Sequence, residues 1–549
     1  MPHQATSAGR TRGTGRRNPV AGPVIAGLLT CASACTGALD GGPYRPGETG
    51  SAPSAHFATT RLRRLTQYEY ARAVDQLVGR AHPETLMLYP IDPRTPFDDD
   101  ADEQDPTASL VNGVELLATE TAEDLLADPA RRDTVIGCIP SGPTDDACMR
   151  SFVERFGRRA IRRPVPSDDV DRYVAGALAI ATEEGDFYAG AGIVVRAFLQ
   201  HPRFLYRVEV GTPVDGTPDV VRLDDWELAS RLSFLVWGTP PDDALLDAAA
   251  RGELHDADGV IARAEEMLLD ARAGEQAARI HAMWLGIEIL PHSTSLSAAM
   301  RDESATLVRE VLLSQDRPWR DLFREPGTYV NDELAAIYGL PAPGSSEPTY
   351  VPYGEGTRQG ILSHGAFLSH GGSTGERAPI HRGLAVRRRL LCETIELPRG
   401  FMPPPLPEPT SGQCRADLLA AHRTGGCAGC HDRIDPVGFG LEGYDIAGRV
   451  QSTEPGRPEC TIEGAGMLDG HAFAGPRGLA DLLLEDARMT ECFESQLYRF
   501  AMGHSSLTDE DSQVLAELRH GLVDEEFTYG ELVRVLVGSS AFLYRREPE

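Results

Sequence analysis

Two cysteines and a histidine stand close together in the last quarter of the chain. The pentapeptide Cys427-Ala428-Gly429-Cys430-His431 places two thiols three positions apart, with an imidazole directly after the second. Thiols at this spacing can add to the two vinyl groups of a haem, and the adjacent histidine can then ligate the iron. The pattern therefore predicts one covalent haem c, held by Cys427 and Cys430, with His431 as an iron ligand.

Two other kinds of site use the same spacing. A zinc site would need a second pair of ligands, which Cys414, Cys460 or one of the 15 histidines would have to supply, and no second closely spaced pair is present. A thiol-redox pair usually opens the helix of a strand–helix–strand unit, and no such pattern is evident here. Zinc binding and thiol redox chemistry stay open as alternatives.

The opposite face of the iron takes a methionine, a histidine or no protein ligand. Met467 is the first candidate, because it lies in a predicted loop between helices expected over 415–423 and 479–502. Arg449 is a candidate partner for a haem propionate, with a structural ion pair as the alternative. Other candidate ligands, each with core packing or a surface position as its ordinary explanation, are Met402, Met489, Met502, His364, His370, His381 and His471.

The first 35 residues have the composition of an export signal. Four arginines precede a mostly apolar or small stretch at 20–34, which is too short to span a membrane as a mature helix. Cys35 follows in the arrangement of a lipoprotein cleavage site, with simple cleavage near Ala34 as the alternative. We therefore expect an exported protein, in the periplasm or on the outer membrane of a Gram-negative bacterium, whose only membrane contact is a possible lipid at Cys35.

The net charge limits the possible partners. Removing residues 1–35 takes away four arginines and no acidic residue, which changes the net charge from −29 to −33. Such an acidic surface repels nucleic acid and anionic lipid. We expect no nucleic-acid partner, and a redox partner protein with a basic surface would suit this charge.

Six further cysteines follow the signal region. An even number in an exported protein indicates disulfides. Cys138 and Cys148 flank the turn-rich segment 140–143, which predicts a local bridge. Three connectivities are open for the other four, with free buried cysteine as the alternative: Cys392, Cys414, Cys460 and Cys492.

Apolar residues recur with the helical period over most of the chain, and strand-like alternation is scarce. Thr66 and Glu69 form a capping-box pattern at the first such helix. The acidic run at 98–103 favours a solvated loop, with a calcium loop as the weaker alternative. The sequence predicts a mainly α, multi-domain helical scaffold with a C-terminal cytochrome c-like haem module.

The expected divisions follow changes in composition. They are a signal peptide at 1–35, a flexible linker at 36–58, helical domains at 59–144, 145–210 and 211–340, a domain at 357–450 that ends in the Cys-x-x-Cys-His motif, and a C-terminal helical domain at 451–549 that completes the haem pocket.

Several segments are similar to one known family: 64–70, 156–164, 202–207, 228–237 and 427–449. Over about 60–548 the chain resembles the large exported proteins of planctomycetes and myxobacteria that are built from a series of domains of unknown function, the type that contains domain of unknown function 1592. They are described as planctomycete-type cytochrome c proteins. The resemblance implies a c-type haem site at Cys427, Cys430 and His431. It implies no substrate, no sixth ligand and no role for Asp435, Glu442 or Tyr444.

Three functions are consistent with these observations. The leading hypothesis is an exported c-type haem protein that transfers electrons, with helical domains that bind a partner or substrate. The second is a haem-dependent oxidoreductase or peroxidase with an open iron site, so enzymatic activity stays an open question. The third is a binding protein without haem that is stabilised by disulfides or zinc.

Overall fold

A computed structural model of the chain describes residues 57–80, 85–217, 219–370, 378–395, 413–420 and 427–547. Within these ranges helices dominate, and the strands are short and pair antiparallel in sheets of two or three. The predicted mainly α fold class is confirmed, whereas the cytochrome c-like character of the C-terminal module stays a prediction. None of the helices in these ranges combines the length and the apolar composition that crossing a bilayer requires.

The first group of elements comes before the Gly-rich turn at residue 211. It comprises β1 (Arg63–Arg64), α1 (Gln67–Val78), α2 (Ala108–Ala127), α3 (Pro129–Ile136), α4 (Asp146–Ile161), α5 (Ser167–Glu184), α6 (Phe187–Leu199), α7 (Pro202–Leu205) and β2 (Tyr206–Arg207). Helix α1 begins with the predicted capping box. The Thr66 side chain accepts from the backbone N–H of Glu69, and the Glu69 carboxylate accepts from the N–H of Thr66.

The second group spans the middle of the chain, and a π-helical turn at Glu310–Ser314 extends α12. It comprises β3 (Thr212–Pro213), β4 (Val220–Arg222), α8 (Asp225–Val236), α9 (Asp243–Ala250), α10 (Ala257–Leu268), α11 (Ala271–Leu285), α12 (Thr294–Arg309), α13 (Asp321–Arg324), β5 (Gly327–Val330), α14 (Asp332–Tyr338) and β6 (Thr349–Pro352).

The third group contains the cysteine motif, and a π-helical turn at Val386–Leu390 extends α16. It comprises α15 (Gly365–Leu368), α16 (Ala378–Ala385), α17 (Arg415–Ala420), α18 (Ala428–Phe439), β7 (Thr453–Glu454), β8 (Arg457–Thr461), β9 (Ala465–Leu468), β10 (His471–Ala474), α19 (Gly475–Leu484), α20 (Ala487–Met502), α21 (Asp509–Gly521), α22 (Tyr529–Val537), α23 (Ser540–Leu543) and β11 (Tyr544–Arg546).

The helix expected over 479–502 is two helices. Helix α19 ends at Leu484, and α20 starts again after Asp486, whose side chain accepts a hydrogen bond from the backbone N–H of Arg488. The aspartate acts as an N-cap because its carboxylate satisfies a donor that the first turn of a helix leaves open.

Two large hydrophobic cores lie within these elements, and a third, small cluster contains Phe57, Val214 and Val220. The first is built mainly from α1 to α7 and centres on aromatic residues such as Phe152 and Phe198. The larger core runs from α8 to the end of α23 and contains Trp319, whose ring stacks on Phe493 with centroids 4.4 Å apart. The predicted domains at 211–340, 357–450 and 451–549 therefore all contribute side chains to one apolar core.

The acidic run at 98–103 is only partly the solvated loop that its composition predicted, because Asp102 and Glu103 are exposed whereas the three aspartates before them are buried. Asp98, Asp99 and Asp100 are each less than 7% exposed. Arginines from elsewhere in the chain neutralise the first two, since Asp98 pairs with Arg279 and Asp99 lies 3.4 Å from the guanidinium of Arg63. Burial raises the pKa of Asp99 to about 7, against the opposing effect of Arg63.

Three disulfides join cysteines of the described ranges. The predicted local bridge between Cys138 and Cys148 is confirmed. Of the three connectivities open for the remaining four, the structure has Cys392 bonded to Cys492 and Cys414 bonded to Cys460. Cys35 lies outside the described residues.

Candidate functional site

The cysteine motif forms the first turn of α18. Cys427 is the residue that flanks the helix start, and Cys430 and His431 follow on the helix itself. Both thiols are free and half-buried. Because residues four positions apart lie on the same face of a helix, His431 is stacked above Cys427, with Cys430 beside it.

A buried carboxylate holds the imidazole of His431. The Nδ1 atom lies 3.0 Å and 3.1 Å from the two carboxylate oxygens of Asp435, one turn further along the helix. The side chain of Asp435 is 0% exposed. A histidine whose Nδ1–H is given to a carboxylate presents Nε2 to a metal in a fixed orientation. Asp435 had no predicted role, although its spacing of four from His431 was a usable signal.

Two buried arginines fix α18 against its neighbours. Arg382 of α16 donates hydrogen bonds of 2.6–2.9 Å to the carbonyl oxygens of Leu368, Leu441, Tyr444 and Asp445. Burial lowers the pKa of Arg382 to about 10, so the side chain is charged at neutral pH. Arg387 donates to the carbonyl oxygen of Arg433, inside α18, at 3.1 Å.

Glycines bring the backbones of α16 and α18 into direct contact. A Cβ atom on Gly383 would lie 2.0 Å from the carbonyl oxygen of Ile434, and one on Gly438 would lie 1.7 Å from that of Pro379. Such separations are far shorter than any packing contact, so only glycine fits at these two positions. The position of the motif is therefore set by backbone packing as well as by the two arginines.

The zinc alternative would use Cys414 or Cys460 as a further ligand. The sulfur atoms of Cys414 and Cys460 lie within 4.8 Å of a carboxylate oxygen of Glu454, an arrangement that resembles a metal site. These two sulfurs are bonded to each other, and it is the thiolate that ligates a metal. Neither cysteine can complete a zinc site with Cys427 and Cys430 while the disulfide is intact.

Met467 lies on strand β9, not in the loop that the sequence predicted. Its neighbour Gly466 contacts Gly440, just after the end of α18. Side chains alternate across a strand, so the Met467 side chain points to the other face, where it is 48% exposed. Its role as the sixth ligand stays a prediction.

The other candidate ligands fall into three groups. Met489 and Met502 are buried in the core along α20, and His471 is exposed on β10. Met402 lies outside the described residues. Arg449 is exposed and lies 3.5 Å from the carboxylate of Asp445, which fits the structural ion pair that was the alternative to a propionate contact.

The three histidines before the motif that were candidate ligands have different surroundings. His381 is exposed on α16. The Nδ1 atom of His370 lies 2.7 Å from the carbonyl oxygen of Phe367, and burial lowers its pKa to about 4. His364 is fully buried, and burial together with the charge of Arg358 lowers its pKa to about 3. His364 and His370 are therefore neutral at physiological pH.

His364 belongs to a buried polar network that joins α12, β5 and α14. Ser304 Oγ lies 2.9 Å from its Nδ1, and Thr328 Oγ1 lies 3.3 Å from its Nε2. The carboxyl group of Glu303 lies 2.6 Å from the hydroxyls of both Thr328 and Tyr338. Burial raises the pKa of Glu303 to about 8, so this carboxyl is neutral at pH 7. Serine, histidine and glutamate meet here without forming a catalytic triad, because a histidine with so low a pKa is a poor base.

We expect stability to depend on pH through Glu303. Its pKa rises from an ordinary 4.5 to about 8 on folding. The stability that the carboxyl group contributes is therefore fully present below pH 4.5 and is lost as the pH rises through 8. The variant Glu303→Gln has a neutral amide at this position at every pH. As the pH rises between these limits, the wild type should lose stability relative to the variant. Urea denaturation should show the difference between their free energies of unfolding growing by up to about 1.4 kcal/mol per pH unit.

The control variant is Glu120→Gln, at an exposed position of α2. Its difference from the wild type should not change with pH. A difference between Glu303→Gln and the wild type that is constant from pH 5 to pH 9 would contradict the assignment of a neutral Glu303.

Comparison with known proteins gives four family models in series, each described as a protein of unknown function. DUF1595 matches residues 148–209, DUF1592 matches 223–340, DUF1588 matches 358–454 and DUF1585 matches 469–542. The third of these includes the cysteine motif. No curated protein and no solved structure matches the chain significantly. With these four domains in this order, the chain belongs to the planctomycete-type multi-domain proteins that contain DUF1592.

Proposed function

We propose that the protein is an exported c-type haem protein that transfers electrons, with one haem bound covalently through Cys427 and Cys430 and ligated by His431. The observation that carries this proposal is the state of the cysteines. The six others in the described ranges form disulfides, while the two of the motif are free on one helical turn beside a histidine that Asp435 orients.

The donor set fits a haem in three respects. The thiols are half-buried and not bonded to each other, so both sulfurs can form thioether bonds. The imidazole is held by Nδ1 and so offers Nε2 to the iron. The carboxylate of Asp435 makes the imidazole a stronger electron donor, which would lower the reduction potential of a haem bound there. When bound, the haem would supply one-electron redox chemistry.

Other features support the proposed export of the protein and the proposed basic redox partner. Three disulfides are typical of a protein that matures outside the cytoplasm. The net charge of −29 favours a basic redox partner, because opposite charges speed association. The family model that matches residues 358–454 describes a protein of unknown function, and its short name, PSCyt3, hints at a cytochrome-like association. Lipid attachment at Cys35 is part of the same proposal.

The covalent attachment can be tested in a bacterial host that expresses cytochrome c maturation proteins. We expect the wild-type band to stain for haem on a denaturing gel, and the double variant Cys427→Ser/Cys430→Ser to lose the stain, because it retains neither of the thiols that would form the two thioether bonds. Gly429→Ala is the matched control. A Cβ atom at Gly429 meets nothing within 4 Å, so this variant should stain like the wild type. An unstained wild-type band would sink the proposal.

The role of Asp435 can be tested by the reduction potential. The variant Asp435→Asn keeps the size of the side chain but is a weaker acceptor for His431. We expect the midpoint potential to rise, by on the order of tens of millivolts, because the imidazole donates less charge to the iron. Asp432→Asn, one position after His431, removes the same charge from an exposed position and leaves Asp435 in place. An equal shift in both variants would indicate a general charge effect and no specific role for Asp435.

Carbon monoxide distinguishes electron transfer from chemistry at an open iron site. A closed sixth position predicts that the reduced wild type does not bind carbon monoxide. If Met467 is the ligand, Met467→Ala should bind it and show the spectrum of the carbonyl form. Met489→Leu, at a buried position of α20, serves as the control and should behave like the wild type. Binding by the reduced wild type would favour the haem-dependent oxidoreductase instead.

A further inference from the structure

A small pocket lies where the end of α4, helix α7 and the first turns of α8 meet. Its volume is about 20 Å³, which is room for about one water-sized particle. Three arginines line it together with apolar side chains: Arg162, Arg163, Arg203, Ile161, Val208 and Trp226. None of the lining residues that the structure describes belongs to the motif at 427–449, so the pocket has no part in the proposed haem site.

The side chain of Arg203 is buried and unpaired. It is 8% exposed, and no hydrogen bond or ion pair joins its guanidinium to another residue of the described ranges. None of its three nitrogens is completely enclosed by protein, so they are accessible from the pocket that Arg203 lines. Burial and the positive charge of Arg163 lower the pKa of Arg203, although a guanidinium stays protonated at neutral pH. A positive charge with free donors therefore faces this space.

The carboxylates next to the pocket already have partners. Asp224 lies 2.5 Å from Arg163, and Glu227, which lines the pocket, accepts from backbone N–H groups of the segment before α8. Arg162 donates to backbone carbonyl oxygens. Among these groups three arginines outnumber two carboxylates, and Arg203 is the arginine whose donors are free.

A buried charge without a partner is costly, so the pocket calls for an anion. Phosphate and sulfate are polyatomic and exceed the available volume, whereas an anion of a single atom fits it. Because Ile161, Val208 and Trp226 form the apolar part of the wall, the anion has to give up most of its water there. Desolvation costs less for a large monovalent ion than for a small one, which favours chloride over fluoride.

We propose that this pocket binds one chloride ion, which accepts hydrogen bonds from the guanidinium of Arg203 and balances its charge. Helix α7 contributes to the first hydrophobic core and α8 mainly to the larger one. The ion therefore lies at the junction of the two cores and stabilises it. This inference goes beyond the proposed haem function and does not depend on it.

The NMR line width of the chloride ion, measured with the purified protein, tests the proposal. Chloride that exchanges on and off a large protein has a broader line than free chloride, and added bromide should narrow it by competing for the site. Arg203→Gln removes the positive charge and should lose most of the broadening. Arg172→Gln, the same change at an exposed position of α5, should broaden the line like the wild type. Equal broadening by the wild type and Arg203→Gln would overturn the proposal.

A second variant leaves Arg203 in place. Val208→Leu adds a methylene group to the wall of a pocket that has room for little more, and it should also lose the broadening while circular dichroism shows an unchanged helix content. Unchanged broadening by Val208→Leu would show that chloride binds elsewhere.

A crystal of the wild type grown in sodium bromide locates the ion directly. We expect an anomalous peak beside the guanidinium of Arg203, because bromide replaces chloride at such a site and scatters anomalously. Density for water alone at this position would contradict the proposal.

Discussion

The buried charge of Arg382, which contacts no carboxylate within the described residues, is the constraint on which the surroundings of the motif depend. Its guanidinium is 1% exposed and is satisfied by carbonyl oxygens from the end of α15 and from the segment after α18. A buried guanidinium charge is tolerated only when all of its N–H groups donate hydrogen bonds. The backbone after α18 therefore has to stay where these carbonyls meet the guanidinium, and that fixes the direction in which α18 presents His431.

Arginine serves the same purpose at several other junctions. Arg358 lies between the rings of Tyr338 and Tyr444, at 4.4 and 4.6 Å, and donates to the carbonyl oxygens of Ser363 and Gly448. Arg231 of α8 donates to the carbonyls of Ala541 and Phe542 while it pairs with Glu209. Planar guanidinium groups can bridge several carbonyls at once. Segments far apart in the chain are joined in this way, although the overall composition is strongly acidic.

The motif and a groove between α11 and α12 lie in different parts of this scaffold. The motif lies at the start of α18, where His431 contacts a buried carboxylate. The groove is lined mainly by side chains of α11 and α12. Both helices contribute to the core that also includes Val437 of α18, so the motif and the groove share one packed interior.

Local chemistry determined what the sequence could predict. The period of the apolar residues gave the helices, and the capping box at Thr66 follows from spacing alone. The arrangement of Cys427, Cys430 and His431 on one turn needs only a helix, and the bridge between Cys138 and Cys148 needs only a short turn. The candidate haem site was therefore predictable as a set of three residues, though not the packing that holds it.

Contacts between distant segments decided the rest, because they depend on which surfaces meet in space. The pairing of Cys392 with Cys492 requires α20 to lie beside the turn after α16. Asp98 and Asp99 of the acidic run are buried because Arg279 and Arg63 reach them from two other elements. The lining of the groove between α11 and α12 includes Asp98 and His281, which are 183 positions apart in the printed numbering. No local pattern in the sequence records such a meeting.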